Sequence, residues 1–430
     1  MRRITASKVL SLFAVLFVLA TALPVVGQEG RTEGALPPRG VVIEIDSPER
    51  SLYRIAVPVL RGEAALGGPS AEVLQNDFKL ISLFQVLDSR SFLANLDQEG
   101  LNVTSQPWSA VGAQGVVKGQ IQRAGGNVTV EMRFFEIARG EAAQITRTYR
   151  GPAGNLRGFM HDFANEVVRH LTGEVGPFGS RLAFARRVGP GRKDVYVADF
   201  DGHGVSRISS GRGVAMLPSF GQGGIWYSVM SPLGMFITRS GQSERPIVDG
   251  DGLNMGPVVC GGRVLFSSTR DGNSEIYSAA LDGTDVRRLT RAPGIDVSPT
   301  CGPGGQVAFV SDRHGGPQIF VMDASGGGAR RVTYRGAHNQ TPAFCPDARK
   351  PLVAFTGRDG GMDIFTVNIQ TQEYTRITQG QGTNKDPAFS PDCRMITFAS
   401  SRGGIFVANP EGLNQTKVVN GEAETVRWSR

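Results

Sequence analysis

The chain has 430 residues, of which 40% are apolar and 20% charged. That supports two or three packed domains and excludes a disordered or collagen-like chain. The formal net charge is +7, but the lysines and arginines form no block, which argues against nucleic-acid binding. Glycine is the outlier, with 57 residues or about 13% of the chain against a usual ~7%. Many tight turns between short strands would account for it, so the composition leans towards β structure.

At the amino end, Arg2, Arg3 and Lys8 precede an apolar run over residues 9–20 and then small residues. This is the layout of a secretory signal peptide. Cleavage is expected after Gly27, with Ala22 as the alternative. The run of about 12 apolar residues is too short for a bilayer span of ~20, so residues 1–27 are expected to be removed on export. Residues 28–40 are polar and rich in Gly and Pro, and read as a flexible arm.

Residues 41–175 read as an α/β domain. Residues 41–45 and 53–60 have strand character, and Ser70 is placed to cap a helix carrying Val73, Leu74, Phe78 and Ile81. Strands follow near 84–88 and 116–121. Gly125-Gly126 then turns the chain into an alternation of Val128, Val130, Met132 and Phe134 with polar residues, a hairpin pattern. After a strand near 143–149, Leu156, Phe159, Met160, Phe163, Val167 and Leu171 recur at helical spacing.

From residue 181 the pattern becomes a repeat. Ile208, Ile247, Leu289, Val332, Ile377 and Val418 mark its closing segment, and Pro218, Pro257, Pro299, Pro342 and Pro387 follow some ten residues later, with Val426 in the sixth copy. Phe184, Tyr227, Phe266, Phe309, Phe355 and Phe398 are expected to end another strand of each unit. Six copies of four short strands predict a six-bladed β-propeller over residues 181–430. The fold class is thus a small amino-terminal α/β domain followed by that propeller. The first unit lacks an inner strand, and residues 425–429 match one, so the carboxyl end is expected to complete the first blade.

The chemistry-bearing residues are sparse. No Gly-x-Ser-x-Gly elbow, H-E-x-x-H or P-loop is present, and His161, His170, His203, His314 and His338 are scattered. No enzyme activity, cofactor or metal is expected. The Asp-Gly pairs, such as Asp271-Gly272 and Asp359-Gly360, are hairpin turn residues, and the full calcium-loop spacing is missing. Arg270, Arg313, Arg358 and Arg402 recur after the aromatic strand and are expected to pair within the blade. Cys260, Cys301, Cys345 and Cys393 include no C-x-x-C pair, which disfavours zinc. Disulfides and buried thiols remain equally open.

Residues 310–323 and 386–392 resemble the blade repeats of the TolB family. Ile45-Asp46-Ser47, Asn76-Asp77-Phe78, the segment 108–113 beginning at Trp108, and Glu166-Val167-Val168 through Leu171-Thr172-Gly173 resemble its amino-terminal domain in order and spacing. The resemblance implies a monomeric, non-catalytic periplasmic adaptor of the Tol–Pal system, which maintains the outer membrane and draws it inward at division. It implies a TolA-binding segment at Val41, Val42, Ile43, Glu44, Ile45, Asp46 and Ser47. Here an arm precedes that segment, which β-augmentation tolerates. It also implies that Pal, the peptidoglycan-associated lipoprotein, docks on the propeller, and leaves room for other outer-membrane or peptidoglycan-associated proteins.

The least uniform positions of the repeat lie just before the recurrent proline and read as loops, where binding usually resides. Pal is therefore expected to dock on the face they build: Met216 and Leu217, Met255, Val297 and Ser298, His338, Asn339, Gln340 and Thr341, Asn384, Lys385 and Asp386, and Glu424 and Thr425. The alternative class is a periplasmic propeller that binds a small ligand or an ion. If the cysteines pair, adjacent inner strands match Cys260 with Cys301 and Cys345 with Cys393.

Overall fold

A computed structural model describes residues 52–211, 213–232 and 234–429. The expected signal peptide, the arm and the segment Val41 to Ser47 lie outside the described residues. None of the described helices is long and apolar enough to cross a membrane.

The amino-terminal domain opens with β1 (Tyr53–Ala56) and β2 (Arg61–Gly62), followed by α1 (Ala64–Leu80) and β3 (Phe84–Val86). Two short helices, α2 (Leu96–Glu99) and α3 (Ser105–Ala110), lead to β4 (Gly115–Ala124), β5 (Asn127–Glu136), β6 (Ile145–Pro152) and α4 (Leu156–Thr172). The sheet order is β3-β1-β4-β5-β6, with β2 beside β4. β1 runs parallel to both neighbours, and the β4–β5 hairpin closes at Ala124 and Asn127 around Gly125-Gly126. The expected apolar face of α4 is buried at Met160, Phe163, Val167 and Leu171, and the helix stops at Gly173 in left-handed conformation with φ 78°.

Ser70 does not cap α1. That helix starts six residues earlier, at Ala64, and runs through Pro69, leaving Ser70 buried inside it. Two glycines and a proline at residues 67–69 hide the first turns from a propensity reading. Gly67 is required there by close packing, because a Cβ on it would lie 2.1 Å from the Leu60 carbonyl oxygen.

The repeat region forms six sheets around a central channel. Five have four strands and one has three. In the second blade the outer strand shrinks to a single bridge between Ile237 and Val248. Pro246 stands there, without an N–H, where other copies have Arg or Lys. The first blade is completed by the carboxyl-terminal strand Ala423–Trp428, which pairs antiparallel to Arg181–Gly189 with Trp428 opposite Leu182. Ser429 N–H donates to the Arg181 carbonyl at 2.8 Å, and the Trp428 indole N–H to Ser180 Oγ at 2.6 Å. The marker aromatics lie in the middle of the second strands rather than at their ends. All four cysteines are bridged, Cys260 to Cys301 and Cys345 to Cys393, across neighbouring blades.

One apolar cluster runs from the amino-terminal sheet and helices into the first and last blades, through Phe178, Leu182, Phe200, Met395, Val419 and Trp428. The amino-terminal domain therefore sits against one end of the propeller.

Candidate partner-binding face

The positions expected to be loops are strand residues, except His338, which stands one residue before its inner strand. Each of the six inner strands breaks register once, at the recurrent proline or at Val426. Proline cannot donate to the ladder, and a bulge supplies the unpaired position that it needs. The residue before it is left-handed in every copy: Leu217 (φ 54°), Gly256 (66°), Ser298 (57°), Thr341 (50°), Asp386 (57°) and Thr425 (52°). Five of the six carry a side chain, so each accepts roughly 1–2 kcal/mol of strain.

The blades hold this ring in place by bonding across their boundaries. Gly256 N–H donates to Ser228 Oγ at 3.0 Å, Ser298 N–H to Ser267 Oγ at 3.1 Å, and Asp386 N–H to Thr356 Oγ1 at 3.0 Å. Each acceptor belongs to the preceding blade. Thr425 N–H donates to Asp386 Oδ2 at 2.8 Å, tying the last strand to blade six. Burial pushes the Asp386 carboxyl up, and the Thr425 N–H and Arg427 oppose the rise.

The expected site residues thus stand at equivalent places around one mouth of the channel, but they divide by availability. Lys385 is exposed, and Met216, Leu217, Met255, Val297, Ser298, His338, Gln340, Thr341, Glu424 and Thr425 are partly exposed. His338 Nε2 lies 3.2 Å from Gln340 Oε1, and Glu424 pairs with Lys193. Asn339 and Asn384 are buried. The Asn339 amide donates to Gln318 Oε1 and to the Arg335 carbonyl, each at 2.8 Å, so its N–H groups serve the blades. Between blades six and one the mouth opens into a cavity of about 400 Å³ with Lys385, Asp386, Ser401, Arg187, Glu422 and Glu424 in its wall. Its mixed charges suit a polar protein partner.

The recurring arginines need one correction. Arg270 and Arg313 bond to Asn254 and Asp296 as expected of blade residues, and Arg402 to Ser400 and Gln415. Arg358 is not their equivalent. Asn339 pairs with Gly357 where Asn254 pairs with Ser268, so Asp359 holds the repeat position and Arg358 is exposed one residue earlier.

At the opposite end, α1 and α4 meet the propeller through a polar junction that sequence reading missed. His161 Nδ1 lies 2.8 Å from Asp77 Oδ2, and Asp201 of the first blade pairs with Arg157 and accepts from the Asn76 amide at 3.4 Å. Asp77 and His161 are both buried, and burial pushes the Asp77 carboxyl up to about 6, against the lowering influence of His161. The carboxylates and imidazole lie within 4.8 Å of one another. Arg157 already neutralises Asp201, which opposes a dication. The signal available beforehand was two polar residues, Asn76 and Asp77, beside the apolar face of α1.

A family model described as the TolB beta propeller domain matches residues 168–349 and 337–429, more than half of the chain. The chain belongs to the TolB family. A second model, the TolB amino-terminal domain, matches residues 41–143. A curated Tol-Pal system protein TolB from Desulfosudis oleivorans is 30% identical over 267 residues, covering 59% of this chain and 60% of that protein. Another, from Anaeromyxobacter dehalogenans, is 35% identical over 286 residues, covering 62% and 63%. The matches thus span less than two thirds of these TolB proteins. The crystal structure of TolB from Acinetobacter baumannii has the same fold, with a TM-score of 0.76 at 23% identity over 88% of this chain and 97% of that one.

Proposed function

We propose that this TolB-family chain is a non-catalytic periplasmic adaptor of the Tol–Pal system. In this reading the signal peptide, residues 1–27, is removed on export. Pal docks on the channel mouth ringed by the left-handed residues, and TolA pairs with the strand from Val41 to Ser47. The ring carries the proposal: six left-handed positions, five of them strained and four bonded across a blade boundary, are maintained at the end of the propeller that the amino-terminal domain leaves free. Strain of this kind collects where the surroundings hold a surface ready for a ligand. The curated relatives named for the Tol-Pal system support the choice of partners.

The test is titration calorimetry with purified Pal lacking its lipid anchor. The double variant His338→Ala and Lys385→Ala should weaken binding at least tenfold with a melting temperature within a degree or two of the parent. Asn339→Ala is unsuitable for this purpose, because it removes a buried blade contact. Unchanged Pal affinity in the double variant would place the interface elsewhere. Removal of residues 28–47 should abolish TolA binding and leave Pal bound.

A further inference from the structure

Beyond their bulges the six inner strands enclose a second cavity, of about 410 Å³, which is within the size range of small-molecule sites. Each strand contributes the residue that follows its recurrent proline, or Val426 in the first blade: Ser219, Val258, Thr300, Ala343, Ala388 and Arg427. Five of these are small and uncharged. Arg427 is the one charged residue in the wall. The next positions along the strands add apolar surface from Phe220, Val259, Phe344, Phe389 and Trp428.

A side chain that served the blade itself would recur with the repeat, as Arg270 and Arg313 do. Arg427 does not recur. Among the described residues its guanidinium donates to the Val426 carbonyl at 2.9 Å and stands in no ion pair. Burial opposes its charge, and Asp386 is the carboxyl that supports it. That carboxyl is itself pushed up by burial, and its Oδ2 already accepts the Thr425 N–H.

Ser219, at the same position of the neighbouring blade, adds a second group of this kind: its buried hydroxyl has no hydrogen-bond partner among the described residues. A cation with spare N–H donors in a poorly solvated place is costly unless an anion meets it.

We propose that the channel binds a small organic carboxylate, with the carboxylate on Arg427 and the apolar body against Phe220, Phe344 and Phe389. The guanidinium fork matches a carboxylate through two parallel bonds. The apolar wall favours such a monoanion over inorganic phosphate, whose higher charge costs more to desolvate. The cavity lies past the bulges from the candidate partner face, so the assignment of that face does not enter.

The test titrates the chain, carrying 15N-labelled tryptophan, with phenylbutyrate followed by NMR. The Trp428 indole signal should shift saturably, while that of Trp108, buried in the amino-terminal domain, stays in place. Phenylbutylamine, the same body with the opposite charge, and inorganic phosphate should each bind at least tenfold more weakly. Arg427→Met, which keeps the stem and removes the charge, should weaken phenylbutyrate binding at least tenfold. Thr300→Phe fills the cavity from across the channel, should weaken binding as much, and serves if the first variant does not fold. No saturable shift, an amine or phosphate that binds as well, or unchanged affinity in the folded variants would overturn the proposal.

Discussion

Asp77 is a carboxyl with no exposed surface, facing His161 and Arg157 of α4 and Asp201 of the first blade. Its value in the folded chain is raised from 3.8 to about 6, chiefly by burial. A carboxyl raised in this way favours the folded state when protonated. Its contribution is fully present below about pH 4 and is lost as the pH rises through about 6. Asp77→Asn should therefore flatten the dependence of melting temperature on pH between 4 and 7 relative to the parent. Parallel melting profiles for the two proteins would show that Asp77 titrates as an ordinary carboxylate. The same junction explains why buried Asp77 and half-buried Asn76 stand beside the apolar face of α1: their partners lie on α4 and on the propeller.

The element on which the ring depends is its last strand. Ala423–Trp428 belongs to blade one by pairing and to blade six by the Thr425–Asp386 bond. Trp428 is 7% exposed, and losing a buried side chain of that size costs ~3–5 kcal/mol. Deleting residues 425–430 should lower the urea midpoint and make the strand Arg181–Gly189 a site of early proteolysis, because its inner edge loses its partner. An unchanged midpoint would mean that blade one holds without it. The disulfides support the same ring elsewhere, joining inner-strand ends of blades three and four and of blades five and six.

For the whole molecule, the joint between its two parts is as much polar as apolar. Glu174, just beyond α4, pairs with Arg394 at 2.9 Å and with Arg349 and Lys350 of the propeller. The Arg394 side chain is 5% exposed, so removing the partner leaves a guanidinium in a poorly solvated place with only Asp392 at 3.4 Å. Breaking such a contact costs about 1–3 kcal/mol. Glu174→Gln should lower the calorimetric melting temperature and, if the joint couples the parts, separate one transition into two. A melt identical to the parent would assign the coupling to the apolar cluster around Phe178 and Phe200.

The blade number, the closing strand, the β4–β5 hairpin, the apolar face of α4 and which cysteines would partner if they pair were legible in the order of residues alone. All of them follow from local periodicity or from a repeat whose copies can be laid side by side. The start of α1 was not legible, because Gly67, Gly68 and Pro69 contradict a helix until Leu60 is seen packed against it. Nor was the status of Arg358: one residue of register separates it from Asp359, and register is decided by the pairing of Asn339 with Gly357. The left-handed ring and the meeting of Asp77 with Asp201 also belong to the tertiary structure. A backbone angle before proline depends on the neighbouring blade that receives its N–H, and a buried carboxyl depends on groups far away along the chain. Sequence patterns report which residues prefer to be buried; only packing decides which polar groups are buried together.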